Sequence, residues 1–291
     1  MRLKRQSWNS AAAKRLRSLA PSKDVATAVT IVAGRLLDGV ALSPTDLPAV
    51  AAKVGVEQCN AESQLPVSAA LRKIGNRYTI VYAPRLPTGR RRFSIAHEIA
   101  HLVVGNGRTS LNHSSWEVER LCDMLATEFL MPRMLFLDRA GRRPGIDTLF
   151  QLSAEFEVSL TAAALRICEL TGACAFESSA DSIVWGRGPV RDTMPELNTI
   201  IQSALAGQKV QERVRLYRGG GVDKIWSIEG ARIGRGQRAI FVMWPSSSDG
   251  REIVSDTTEP ADAHAQHEVR SKQAHAPERD SIDLPPTSTA L

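Results

Sequence analysis

The sequence predicts an α+β fold in three parts: a mainly helical core entered from a β-strand, a helical extension, and a small β-rich C-terminal module. Three observations carry this expectation. "NRYTIVYA" (76–83) alternates through β-branched and aromatic residues, which is a strand signal. Successive stretches up to Gly172 keep the apolar spacing of amphipathic helices. From Ala173 to Trp244 the pattern changes to short strands with glycine-rich turns, as in "SIVWGRGPV", "DKIWSIEG" and "RAIFVMWP".

Taken in order, residues 1–24 form a basic N-terminal extension. It lacks the apolar segment of a secretory signal and suits a transit-like stretch, an amphipathic arm or a solvated tail. "VATAVTIVAGRLLDGV" (25–40) reads as a core helix, and "SPTDLPAVAAKVGV" as a short second helix with Ser, Thr and Asp caps, ending near Gly55. After the strand, a basic loop, "PRLPTGRRR", leads to a helix from about Ser94 to Val104, stopped by Gly105 and Gly107. "SSWEVERLCDMLATEFLMP" makes one amphipathic helix, capped by Ser114 or Ser115 and closed by Pro132. Two helices joined by a tight turn at Glu157–Ser159 complete the part spanning 25–172. The β-rich module covers 173–245, with Trp185, Trp226 and Trp244 as core candidates, and the polar tail 246–291 is predicted to be disordered.

The chain has 291 residues, 43% of them hydrophobic, enough for one substantial core and a smaller module. No uninterrupted apolar stretch has the length of a membrane span. The four cysteines show neither paired metal-ligand spacing nor a disulfide framework, so the cytoplasm is the expected location. The net charge of +6 divides unevenly: the tail from Ser246 has nine acids against four bases, leaving the body strongly basic. A basic body suits nucleic acid or an acidic protein surface. Its bases are scattered and not interleaved with aromatics, so direct nucleic-acid binding is not expected.

The chemistry concentrates in "RRRFSIAHEIAHLVVG" (90–105). On a helix, His97 and His101 lie four apart on one face and can offer ring nitrogens to one metal ion. Glu98 sits about 100° round from His97, off the ligand axis yet able to reach a water on the metal. Zinc lowers the pKa of such a water to about 7, so Glu98 can act as general base and return the proton to a leaving amine. The plainer reading is a buried helix with two unrelated histidines. Ile95, Ile99, Ala100, Leu102 and Val103 argue for burial, and buried histidines need partners.

A catalytic zinc takes three protein ligands and keeps an open position. The elongated motif with a further histidine is excluded, because Val104 and Gly107 stand at its glycine and histidine positions. The next helix offers "EVERLCD", in which Glu119 and Asp123 are i and i+4. Glu119 can ligate while Asp123 accepts a hydrogen bond from a ligand histidine and fixes its tautomer. Glu117 and His113 remain alternatives for the third ligand. Tyr78 or Tyr82 can supply a hydroxyl to an oxyanion, though packing is the ordinary role of strand aromatics. The strand carrying them can offer its edge to an extended peptide.

Together "RRRFSIAHEIAHLVVG" and "ERLCDMLATEFLMP" resemble the ImmA/IrrE family of zinc metallopeptidases, over roughly Val25 to Arg139. Cys122 departs from a commonly small alanine, and Leu121 replaces a frequent second glutamate. The resemblance implies a minimal zincin-like, gluzincin-type core, with His97, His101 and Glu119 on Zn2+ and Glu98 as base. It also implies a protein substrate of the helix-turn-helix repressor type, and so transcription regulation or a stress response. Two other functions compete. "LFQLSAEFEVSLTAAALRICEL" can be drawn as a DNA-binding helix-turn-helix, but its second helix offers only Arg166 as a basic residue. The other is a metal-stabilised regulatory protein with little turnover.

Overall fold

The computed structural model describes residues 8–22, 24–105, 116–188, 194–216, 224–234 and 237–246, and joins α-helices to two β-sheets. Helix α1 (Ala11–Leu19) starts at Ser10, whose hydroxyl accepts from the Ala13 N–H, and it buries Ala12, Ala13 and Leu16. The basic N-terminal stretch thus adds a helix to the main hydrophobic core. Helix α2 (Val25–Leu37) is capped by Asp24 on the Thr27 N–H, and its buried stripe follows the apolar spacing of the sequence. Helix α3 (Leu47–Lys53) has an Asp46 cap and a proline in its first turn. It stops before Gly55, whose φ of +86° suits glycine.

The first sheet holds β1 (Val56–Ala61), β2 (Ala69–Ile74) and β3 (Arg77–Tyr82) in the order β1-β3-β2. The expected strand is therefore the central one: β3 pairs parallel with β1 and antiparallel with β2. Both its edges are occupied, so the expectation that it offers an edge to a peptide is corrected. The outer strands are β1 and β2.

Helix α4 (Thr88–Val103) carries the two histidines and begins six residues before Ser94, so Arg90, Arg91 and Arg92 belong to a helix rather than the expected loop. Pro87 opens it, its carbonyl accepting from the Arg91 N–H. Gly89 matters here, because a Cβ on it would stand 2.7 Å from the Ser159 nitrogen. Helices α5 (Trp116–Leu130), α6 (Arg133–Ala140), α7 (Ile146–Glu155) and α8 (Leu160–Thr171) follow. The α7–α8 turn falls at the expected position, with Glu157 at a φ of 50°. The expected caps Ser114 and Ser115 lie outside the described residues.

A buried polar clamp ties four of these helices together. Arg166 on α8 is 2% exposed and its Nη2 donates to Glu128 Oε1 at 2.7 Å and to the Met131 carbonyl at 3.0 Å. Glu128 also accepts from the Thr30 hydroxyl of α2 and from the Arg133 N–H at the start of α6. Its carboxylate thus satisfies an orphan donor at a helix N-terminus. The one basic side chain that a DNA-reading α8 would present is spent inside the protein.

The second sheet contains β4 (Cys174–Ser179), β5 (Ile183–Arg187), β6 (Val210–Leu216), β7 (Lys224–Arg232) and β8 (Arg238–Pro245). Their order is β5-β4-β8-β7-β6, with every pairing antiparallel. Helix α9 (Met194–Leu205), not expected in this strand-rich stretch, packs Leu197, Ile201 and Ala204 with Phe176, Trp226 and Phe241. On the other face Ala175, Ile240 and Val242 join the main core. Glu229 of β7 accepts from the Ile146 N–H at 2.9 Å and so caps α7. The polar tail from 247 onward lies outside the described residues.

Removing one partner of a buried ion pair leaves the other charge uncompensated. Arg166→Ala is therefore expected to cost about 3–5 kcal/mol. Arg139→Ala, which breaks exposed pairs to Asp138 and Glu155, should cost less than about 1 kcal/mol. Urea denaturation checks the ranking, and equal losses would contradict the role given to the clamp.

Candidate metal centre

Two i,i+4 stripes face each other across the α4–α5 contact. His97 and His101 come from α4, with ring centroids 4.9 Å apart and planes at 74°. Glu119 and Asp123 come from α5. The stripes are held by burial elsewhere on the same helices: Ile95, Ile99, Ala100 and Val103 on α4, and Leu121, Cys122, Leu125, Ala126 and Phe129 on α5. These residues fix the rotation of both helices, and the polar stripes follow.

Helix α1 braces the pair from outside. Arg15 Nε donates to the Val103 carbonyl at 2.9 Å, placing a cation at the C-terminus of α4. At its other end, the Ser10 N–H donates to Glu117 Oε1 at 2.8 Å. Glu117 is thereby engaged with α1; burial alone would raise its pKa, but the Ser10 and Asn9 hydrogen bonds and the Arg17 charge together hold its carboxyl below the ordinary range. The sequence alternative that places Glu117 on the metal has its carboxylate turned to another task. His113 lies outside the described residues.

His97 Nδ1 is 3.0 Å from Asp123 Oδ1, and its Nε2 is 3.1 Å from Glu119 Oε2. The other Glu119 oxygen lies 3.7 Å from His101 Nε2. One donor atom from each of His97, His101 and Glu119 lies within 4.8 Å of the others. Zinc ligands sit about 2 Å from the ion, so two imidazoles and a carboxylate gathered this closely fit such an ion. Asp123 at Nδ1 favours the tautomer whose Nε2 lone pair points at Glu119 and His101. On His101 the corresponding Nδ1 meets the buried Cys122 sulfur at 3.5 Å. The departure noted at Cys122 is therefore a thiol packed behind the second histidine. Burial, then the acids Glu119, Asp123 and Glu98, push that thiol's pKa up, which keeps it protonated.

Electrostatics separates the titrating groups. For His97, burial opposes the charged ring, but the Asp123 hydrogen bond and the carboxylates of Asp123, Glu119 and Glu98 outweigh it and raise its pKa. Burial and the neighbouring His97 lower that of His101. Glu98, 9% exposed, is raised chiefly by burial, while His97 and the Leu71 backbone N–H oppose the shift. The Leu71 contact places the outer strand β2 beside Glu98, a neighbour with no local signal in the sequence. Tyr78 lies under the Lys73 ammonium, 5.9 Å from its ring centre, and both Tyr78 and Tyr82 pack half-buried against the main core.

Among known proteins, residues 52–167 match the family model of the M78 peptidases, described as an IrrE N-terminal-like domain. No curated protein matches the chain. A solved structure described as a Mycobacterium tuberculosis transcriptional regulator is 16% identical, with a TM-score of 0.49 over 81% of each chain.

Because carboxylates hold His97 protonated to higher pH than a free imidazole, a zinc ion bound there would have to displace a proton from it. Affinity is then expected to fall as pH drops through and below neutrality. Asp123→Asn removes one of those carboxylates, lowers the His97 pKa, and should reduce the protons released per zinc at pH 7. It should also weaken zinc binding by about 10–100-fold. Calorimetry in buffers of different ionisation enthalpy measures both, and unchanged proton release would count against this account of His97.

Proposed function

From the match of residues 52–167 to the M78 peptidase family model, we propose that this chain is a zinc-dependent endopeptidase that cuts a regulatory protein at a specific site. The family match supports peptidase activity. The observation that supports the metal-dependent form is the convergence of His97, His101 and Glu119, with Asp123 behind His97. In this reading those three residues hold Zn2+, and the core is zincin-like of the gluzincin type. When bound, the ion supplies Lewis acidity toward a water and a peptide carbonyl.

The remaining work belongs to the chain's own residues. Glu98 takes a proton from the attacking water as its oxygen bonds the carbonyl carbon. As the C–N bond breaks, the Glu98 carboxyl returns that proton to the leaving amine nitrogen. Burial raises the Glu98 pKa, which moves it toward the working range of a base that must later act as an acid. The substrate runs extended along β2, whose Leu71 N–H already reaches the Glu98 carboxylate. A repressor of the helix-turn-helix type is the proposed target, on the family resemblance, and the cytoplasm is the proposed place. The buried Arg166 weighs against α8 reading DNA, and among the described residues no helix is long and apolar enough to cross a membrane.

Glu98→Gln should keep the zinc and lower cleavage by about 10²–10⁴-fold. Comparison of new protein N-termini in cells expressing wild type or Glu98→Gln tests it. New termini found with the wild type alone, concentrated in one DNA-binding protein, are the expected result. Identical termini under resting and stressed conditions would sink the peptidase reading.

A further inference from the structure

We propose that a groove beside the metal centre is a subsite for an acidic stretch of the polypeptide substrate. The inference rests on the peptidase reading and adds the chemistry by which a substrate is chosen. The groove has a volume of about 1220 Å³ and is walled by α2, the first turns of α4, α5 from Arg120 onward and α8, with Arg133 of α6 and Arg187 of β5 at its margin. Phe93 joins it to the site: it lines the groove, and its ring centre is 6.2 Å from that of His97. On α5, Arg120 and Met124 line the groove directly after Glu119 and Asp123. A chain lying across the histidines can therefore continue into it.

Its size exceeds the roughly 300–1,000 Å³ of small-molecule sites, which favours a length of polypeptide. Ile31 and Leu165, 37% and 40% exposed, give it apolar contact surface together with Phe93 and Met124. The charge is what selects the occupant. Arg90, Arg120, Arg133 and Arg187 line the groove, all are exposed, and among the described residues none of their guanidinium groups is ion-paired. Three acids also line it, but their charges have work already. Glu128 and Glu169 flank Arg166, and Asp24 caps α2 through Thr27. Four free guanidinium groups over an apolar floor match a peptide carrying Asp or Glu among apolar residues, since the guanidinium fork suits carboxylates. Phe93 is the groove's one aromatic side chain among the described residues, which gives nucleic-acid bases little to stack on.

The test uses the full chain carrying Glu98→Gln and fluorescent dodecapeptides of alternating Glu-Ala, Gln-Ala or Lys-Ala, followed by anisotropy. The Glu-Ala peptide is expected to bind about tenfold tighter than Gln-Ala, with a preference that shrinks as salt rises. Arg90→Glu combined with Arg133→Glu should erase that preference and turn it toward Lys-Ala. These exposed side chains have no acid partner among the described residues, so the urea midpoint should stay in place, and a lowered midpoint directs the same reversal to Arg120. Equal binding of the three peptides, or a reversal without effect, overturns the proposal. So does an oligothymidylate that binds more tightly than Glu-Ala and loses its affinity in the same variant. Digestion of a peptide library by the zinc-loaded wild type separates the two claims. Cuts flanked by acidic residues support the groove, and cuts without charge preference overturn it while the peptidase reading stands. Acid-selective binding with no cuts removes the peptidase reading and leaves the groove's selectivity supported.

Discussion

Two imidazoles on one largely buried helix face need polar partners, and the architecture around α4 follows from supplying them. Glu119 and Asp123 do so from a single face of α5, which constrains the rotation, the depth and the spacing of both helices at once. That constraint explains why the remaining surfaces of α4 and α5 are apolar and why α1 is tied to both. A cation from α1 meets the end of α4, and a carboxylate of α5 meets the start of α1. The site is thus over-determined by backbone contacts as well as by its own hydrogen bonds.

The same clustering sets the proton chemistry. Carboxylates near both nitrogens of His97 outweigh its burial and raise its pKa, whereas burial and His97 itself lower that of His101. Glu98 lies deeper and is raised by desolvation. Environments that push neighbouring pKa values apart are a mark of sites that move protons. The Cys122 thiol, protonated and packed against His101, adds a weak partner where a charged one would compete with any bound cation.

The motif helix, its partner helix and the α7–α8 turn were legible because each carries a local signal: i,i+4 polar stripes on apolar helices, and a turn flanked by two amphipathic runs. Strands β1 and β2 were not. "AALRKI" favours a helix by propensity, and its buried and exposed residues fall in blocks rather than alternating, so pairing with β3 decides its conformation. Helix α9 did carry Leu197, Ile201 and Ala204 at helical spacing, but the strands around it dominated the reading. The start of α4 was hidden by Gly89 and three arginines, which look like a loop until the packing against Ser159 is known. At the site, five residues chosen from the sequence lie together. The sequence favoured Glu119 over Glu117 but could not show what engages Glu117, because that partner is Ser10, 107 positions away. The groove of arginines was equally hidden, since its lining comes from five separated helices and strand β5.

The most direct test of the central claim is zinc X-ray absorption on the purified, zinc-loaded chain. The expected first shell has two imidazole nitrogens and carboxylate or water oxygens at about 2.0–2.2 Å, with no sulfur. In Glu119→Ala the carboxylate contribution should disappear, while in Glu117→Ala the spectrum should not change. A sulfur at about 2.3 Å would contradict the account, because it would put Cys122 on the ion in place of a residue assigned here.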